Sequence, residues 1–375
     1  MASARGVAIS FARLRMKRPK LVFTTTIMAS FARNDLALLG ERFALATHVF
    51  APRSKWLTPW ALVAQAIFLL RHLPSAKVSV TQFGGFHSWL PALMGRLFGV
   101  PSLISLGGFD CASFPSFRYG AHHRFPMGLL TRASLRMADH LVPCSQNLVS
   151  SRQVYSQAAG DPLEQGYMAF DPRNRTPSTV IGYGYDAQRF KPQGDRPPRT
   201  FLTVAQMNAS NYERKGIDLL FESARRFPDC RFTLVGSGPE MRYASVPENV
   251  ALLGFQPYER LPELYGSHAF YLQLSIWEGF PSALCEAMLC GCVPIVSRVA
   301  AMPDIVGDTG FYLEHRDANE LERLIGQALS ADWRMLSTAA RDRIIRNHPR
   351  EARRPYLELV SGIAGVEVTS PTSAS

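Results

Sequence analysis

Two glutamates, Glu278 and Glu286, stand either side of the run GFPSALC in this 375-residue chain, inside the segment SIWEGFPSALCEAMLCGCVPIVSRVAAMPD (Ser275–Asp304). The pattern predicts a strand ending near Ser275, a loop presenting Glu278, Gly279 and Phe280, and a helix launched by Pro281 and Ser282 and running to Leu289. Ser282 suits an N-cap and Gly291 a C-terminal stop. The unpaired N–H groups and positive dipole end of such a helix hold phosphate, and Gly279 lets the backbone approach a ligand closely. Glu278 sits before the helix and Glu286 about one turn inside it, so both can address one ligand from different heights. Carboxylates accept from hydroxyls while N–H groups donate to phosphate oxygens. The chemistry is that of holding a polyhydroxylated molecule bearing a diphosphate. Each glutamate alone has a plainer reading, as a solvated partner of the helix dipole.

The elements that must position this segment follow from strand-like runs alternating with helical spacing. Strands are predicted at Leu21–Thr26, Leu45–Phe50, Val78–Phe83, Pro101–Leu106 and from His140, with helices at Asn34–Phe43, Trp56–Leu70, Ser88–Phe98 and Met127–Ala138. The alternation restarts with strands at Phe201–Gln206 and Arg231–Gly236, the runs VALLGF, HAFYLQLS and VPIVS, and helices at Gly216–Phe227, Glu320–Leu329, Met335–Asn347 and Glu351–Ile363. Such grammar implies βαβ units, parallel sheets and an α/β chain of two doubly wound, Rossmann-like domains facing across a cleft. The expected divisions are a basic arm at 1–20, an N-terminal domain at 21–192 and a C-terminal domain at 199–345. A helix at 346–365 that could cross back and a disordered tail at 366–375 complete them. Five prolines between Pro172 and Pro198 mark the linker.

Composition narrows the partners. The net charge is +11. Residues 1–195 hold 22 Lys/Arg against 9 Asp/Glu, and the remainder 19 against 21. An excess confined to one half points to an anionic partner, such as a phospholipid surface or an anionic lipid substrate. Scattered cations without interleaved aromatics argue against nucleic acid. No stretch reaches membrane-spanning length; Trp56–Leu70, closed by Lys55 and Arg71, reads as a short buried helix or as one lying in a membrane interface. Six cysteines without a CxxC spacing form neither a disulfide framework nor a zinc site, and a reducing, cytoplasmic setting fits them.

The ordered set of motifs resembles glycosyltransferase family 4, the retaining enzymes of GT-B fold with an E-x7-E signature. Glu278 and Glu286 occupy its acidic positions. ERKGIDLL with Lys215-Gly216 is similar to the family's KG segment, and FTLVGSGPE with Gly236 to its Gly-x-Gly strand end. NVALLGF, LPELYGSHAFYLQLS, MPDIV and GFYLE follow in the family's order, while ADHLVPCSQNL and YGYDAQRFKP resemble its N-terminal serine segment and linker. The likeness covers about residues 78–330.

The resemblance implies a hexosyltransferase-like enzyme moving a sugar from a nucleotide-diphosphate sugar, held by the C-terminal half, to a glycan or lipid-linked acceptor held by the N-terminal half. It implies neither metal nor cofactor; the positive first half, on the acceptor side, adds the expectation of a cytoplasmic enzyme peripheral to the inner face of the plasma membrane. By the same transfer Lys215 neutralises the pyrophosphate, Glu278 binds sugar hydroxyls and Glu286 the ribose, with Gly279, Phe280, Pro281 and Ser282 around sugar and phosphate. Gln206 stands where the family has an arginine, with Arg214 a possible substitute. Asp110 takes the place of a strand-end histidine, either as a catalytic group facing the cleft or as a turn residue bonding local backbone. Gly84, Gly85, His87 and Gly108 fall on the acceptor side; His122-His123 and Trp277 read as structural. Same-fold epimerisation and a non-catalytic sugar-nucleotide-binding role are the alternatives.

Overall fold

The computed structural model describes residues 18–156, 162–194, 196–208, 211–238 and 241–366. Most of the arm expected at 1–20, and nearly all of the tail expected at 366–375, lie outside the described residues. The first sheet comprises β1 (Lys20–Thr25), β2 (Ala44–Val49), β3 (Ala76–Gln82), β4 (Ser102–Leu106) and β5 (His140–Pro143), in the order β2-β1-β3-β4-β5. All four pairings are parallel, with Leu21 opposite both Leu45 and Val78. Helices α1 (Ser30–Leu39), α2 (Thr58–His72), α3 (Phe86–Phe98) and α4 (Met127–Met137) connect its strands. β4 is buried along its whole length, as a strand covered on both faces must be.

α1 starts four residues before the expected Asn34. Within it Asp35 is fully buried and receives Arg353 through two hydrogen bonds, at 2.9 and 3.0 Å. A tertiary partner over 300 residues away decides its orientation.

A hairpin of β6 (Ser151–Gln153) and β7 (Leu163–Gln165) and a single turn, α5 (Tyr167–Phe170), lead into the proline-rich stretch. Its first part is bonded along β5: Leu141 N–H donates to the Pro177 carbonyl at 2.9 Å, and Ile181 N–H to that of Pro143 at 3.0 Å. The second sheet contains β8 (Thr200–Val204), β9 (Arg231–Val235), β10 (Val250–Leu253), β11 (Phe270–Gln273), β12 (Val293–Ser297) and β13 (Phe311–Leu313), ordered β10-β9-β8-β11-β12-β13 and all parallel. Its helices are α6 (Ile217–Arg226), α7 (Leu261–Gly266), α8 (Ser282–Leu289), α9 (Met302–Val306), α10 (Ala318–Ser330) and α11 (Trp333–Asn347). Asp317 and Asp332 cap α10 and α11.

One apolar cluster runs through both lobes, joining Leu106, Phe114 and Leu135 to Trp277, Met288 and Ile305. The last helix, α12 (Arg354–Ile363), lies with the first sheet: Tyr356, Leu357 and Val360 are fully buried in the cluster of Leu21, Phe23 and Val78. Burying each such side chain contributes about 1.5–3 kcal/mol. Strand order reverses between β1 and β3 and between β8 and β11. Crevices outside the C-terminal strand ends at such points are where ligands bind in doubly wound sheets. Among the described residues, no helix is long and apolar enough to cross a membrane.

Candidate active site

The second reversal brings together the segment that leads into α6 (211–216) and the loop after β11 (274–281). Gly216 joins them. It opens α6 at φ 69°, and a Cβ there would lie 2.5 Å from the Leu274 Cβ, so only glycine allows this approach. The Arg214 carbonyl accepts from Ile276 N–H at 3.0 Å, locking one loop to the other. Lys215 Nζ is thereby aimed at Glu278 Oε1, with which it forms an ion pair. Both side chains keep some exposure, 15% and 16%. Gln273 Nε2 donates to the same Oε1 at 3.2 Å and to Ser275 Oγ at 2.9 Å.

Arg214 completes the group. It is nearly buried, donates from Nε to Asn211 Oδ1 at 2.9 Å, and its guanidinium lies 4.5 Å from the Tyr119 ring centre, a residue of the other lobe. Burial pushes the Glu278 pKa up, but the Lys215 and Arg214 charges and hydrogen bonds from Lys215 and Ser275 hold it below the ordinary value. Burial also brings Lys215 below its usual value, against the pull of Glu278 and with a push from Arg214. The result is a fixed carboxylate beside two cations, suited to hydroxyls and to phosphate charge.

Glu286 sits deeper. It is 4% exposed, accepts from Tyr265 OH at 3.1 Å, and burial raises its pKa to about 7 against hydrogen bonds from Tyr265 and Tyr258 and the Arg189 charge. Side-chain contacts run between the glutamates: Gln273 Oε1 accepts from Tyr271 OH at 3.1 Å, and the Tyr271 and Tyr265 rings meet edge to face at 6.0 Å. The sequence analysis assigns no role to Tyr258, Tyr265, Arg189 or Gln273. Tyr265 in LPELYG and Gln273 in a buried strand were visible as polar atoms needing partners.

At the head of α8, Pro281 is the N-cap and Ser282 Oγ accepts from Tyr185 OH at 3.0 Å. The Phe280 ring stacks on Tyr185 and meets Tyr183 edge to face. Gly236 ends β9, its N–H donating to the Leu253 carbonyl at 2.9 Å. Gln206 departs from expectation: its side chain is exposed, and its carbonyl takes Asn211 Nδ2 at 2.7 Å. Arg214, not Gln206, joins the Lys215–Glu278 pair.

The N-terminal loops are built differently. Asp110, expected to face the cleft, is fully buried and accepts N–H groups from Gly84 (2.8 Å), Gly107 (3.1 Å) and Gly108 (2.8 Å). It is the backbone-bonding alternative that the geometry favours: a brace tying the ends of β3 and β4. His87 also turns inward, its Nε2 2.7 Å from the Gln82 carbonyl, and burial lowers its pKa to about 4. Gly84 N–H is spent on Asp110 and Gly85 N–H on Ser88 Oγ. None of these polar groups is presented to an acceptor. The Gly108 carbonyl takes Trp277 Nε1 at 3.1 Å, and Ser145 Oγ donates to the Gly279 carbonyl at 3.0 Å. A Cβ on Gly279 would lie 1.8 Å from the Gly107 carbonyl oxygen. These contacts press the glutamate loop against the N-terminal lobe. His122 accepts the same structural duty, stacking on Phe170 with Nε2 2.8 Å from the Asp110 carbonyl. Among the described residues, no group of three or more His, Cys, Asp and Glu is placed to hold a metal.

The chain is similar to known proteins in both sequence and fold. Residues 185–350 fit the family described as glycosyl transferases group 1. A phosphatidylinositol N-acetylglucosaminyltransferase subunit of Arabidopsis thaliana is 32% identical over 162 residues, 40% of this chain and 36% of that protein. O-antigen chain mannosyltransferase B of Escherichia coli is 36% identical over 91 residues, 24% of each. The chain thus spans about a third or less of the length of these curated relatives. The crystal structure of Anabaena HepE with UDP and glucose superimposes with a TM-score of 0.69 at 15% identity, covering 92% of this chain and all of that one. The glycosyltransferase family region therefore sits in a GT-B fold that extends over nearly the whole chain.

Proposed function

We propose that the protein is a retaining glycosyltransferase that moves a hexose-like unit from a nucleoside-diphosphate sugar to a glycan or lipid-linked acceptor. The observation that carries this reading is the Lys215–Glu278 pair on loops that meet at the start of α8. Glu278 would accept from sugar hydroxyls. Lys215 and Arg214 would stabilise the negative charge that grows on the leaving diphosphate, help typically worth a few kcal/mol. Glu286, with its tyrosine partners, lies further along the same loop and helix and suits the ribose. In the step itself the bond from the anomeric carbon to phosphate oxygen breaks and the electron pair leaves with the nucleoside diphosphate. The acceptor oxygen bonds to that carbon and its proton ends on the released phosphate. Support for the donor class comes from the UDP held by HepE, and for the acceptor class from the phosphatidylinositol and O-antigen chain in the relatives' names. Six cysteines without a disulfide suit a cytoplasmic site of action.

The test is a panel of nucleotide sugars incubated with and without acceptor, with products resolved and their anomeric configuration read by NMR. Transfer with retained configuration, lost in Glu278→Ala and Lys215→Ala, is the expected result. Sugar isomerised without acceptor would instead make it an epimerase. Binding without turnover in every combination would make it a non-catalytic partner.

A further inference from the structure

α2 carries an apolar stripe that nothing described in the fold covers. Trp60, Val63, Ile67 and Leu70 recur every three or four residues and, with Trp56 just before the helix, share one side of it. Trp56 is 88% exposed, Trp60 70% and Ile67 62%. The opposite side does the packing: Leu69 is buried and Gln65 Nε2 donates to the His87 carbonyl at 2.7 Å. A helix apolar all round is ordinarily buried, and a bare contiguous patch marks an interaction site.

Charge indicates the occupant. Between Glu41 and Asp110 the sequence has six Lys/Arg and no acidic residue. Arg53 and Lys55 before the stripe, and Arg71 and Lys77 after it, are all exposed. A second copy docking stripe to stripe would bring these cations together, since a two-fold contact pairs a surface with itself. An anionic bilayer complements them. Tryptophans suit the headgroup boundary, and a fifteen-residue helix closed by cations is too short to span but right to lie along a surface. α2 also begins beyond the C-terminal end of β2, so its tryptophan end is on the cleft side of the sheet.

We infer that this face seats the protein on an anionic lipid bilayer, with α2 lying in the headgroup layer. The inference does not depend on the transfer reaction. The experiment is flotation of the whole chain with vesicles of phosphatidylcholine alone or mixed with phosphatidylglycerol, at rising salt. Binding should require phosphatidylglycerol, weaken with salt, and fall about tenfold or more in the Trp56→Ser/Trp60→Ser variant. Lys55→Glu/Arg71→Glu should also weaken it. These positions are exposed, so both variants should melt with the wild type. Equal binding by wild type and the tryptophan variant overturns the inference, as does equal binding to both vesicle types. Self-association abolished by the tryptophan substitutions, with no vesicle binding, would overturn it in favour of a protein partner.

Discussion

The loops at the strand ends of the two sheets start from the same topology and spend their polar groups in opposite ways. On the C-terminal side, Lys215, Glu278 and Arg214 are clustered and partly open, and their charges are mutually tuned. On the N-terminal side, Asp110 is sealed in and satisfied by the backbone N–H groups of three glycines, and His87 faces a main-chain carbonyl. One set pairs charged side chains that keep some exposure to solvent, and the other holds its own loops rigid. Shared architecture positions strand ends without dictating their chemistry, which depends on whether each buried polar group finds its partner inside the protein or outside it.

The sharpest way to break this contrast is to remove the open pair. Lys215→Ala leaves Glu278 enclosed without its cation, and Glu278→Ala does the reverse. Each should lower kcat/KM by about a thousandfold, about 4 kcal/mol, while a folded protein remains. Steady-state kinetics beside circular dichroism checks this. A tenfold loss or less would move the chemistry elsewhere.

The same removal on the sealed side should act on folding. Asp110→Ala strands the buried N–H groups of Gly84 and Gly108, at about 1–3 kcal/mol each, and the half-buried one of Gly107. Unfolding in urea should show a loss of about 3–4 kcal/mol. Native-like stability with abolished transfer would instead make Asp110 a cleft residue and erase the difference between the lobes.

What was legible in the sequence divides along this line. Strands such as β4 and β11 lie in short, mainly apolar runs, and the glutamate loop is announced by local signals: Glu278, Gly279, Pro281 and Ser282 act within a few residues of one another. Orientation on the N-terminal side was not legible, because it is set by residues distant in the chain. Asp110 meets Gly84 only because β3 and β4 lie side by side, and Asp35 turns inward to meet Arg353, just before α12. Glu286 lies between these cases. Its place one turn into α8 was readable, but its tyrosine partners come from α7 and the turn before it.

That intermediate position has its own signature in pH. Glu286 in the folded state holds its proton up to about pH 7, while its ordinary value is 4.5. Over that window the native state binds more protons than the unfolded one, so unfolding free energy falls as pH rises. The decline from this group should be about 3 kcal/mol and absent in Glu286→Gln. Urea titrations at pH 5 and pH 8 on both proteins measure it. A wild-type slope unchanged by the substitution would place Glu286 in water.

The smallest effect separates two residues of one loop. Gln206→Ala should change kcat/KM less than about twofold, because its side chain is exposed and the contact to Asn211 uses its carbonyl. Arg214→Ala should cost about tenfold, since its charge lowers the pKa of both Glu278 and Lys215. Arg214→Lys then divides charge from shape: an ammonium keeps the charge but cannot spread a planar fork over Tyr119 while bonding Asn211. Activity recovered with lysine assigns the effect to electrostatics on the diphosphate. Activity as low as with alanine assigns it to the contact with Tyr119, and makes that N-terminal residue part of the open side after all.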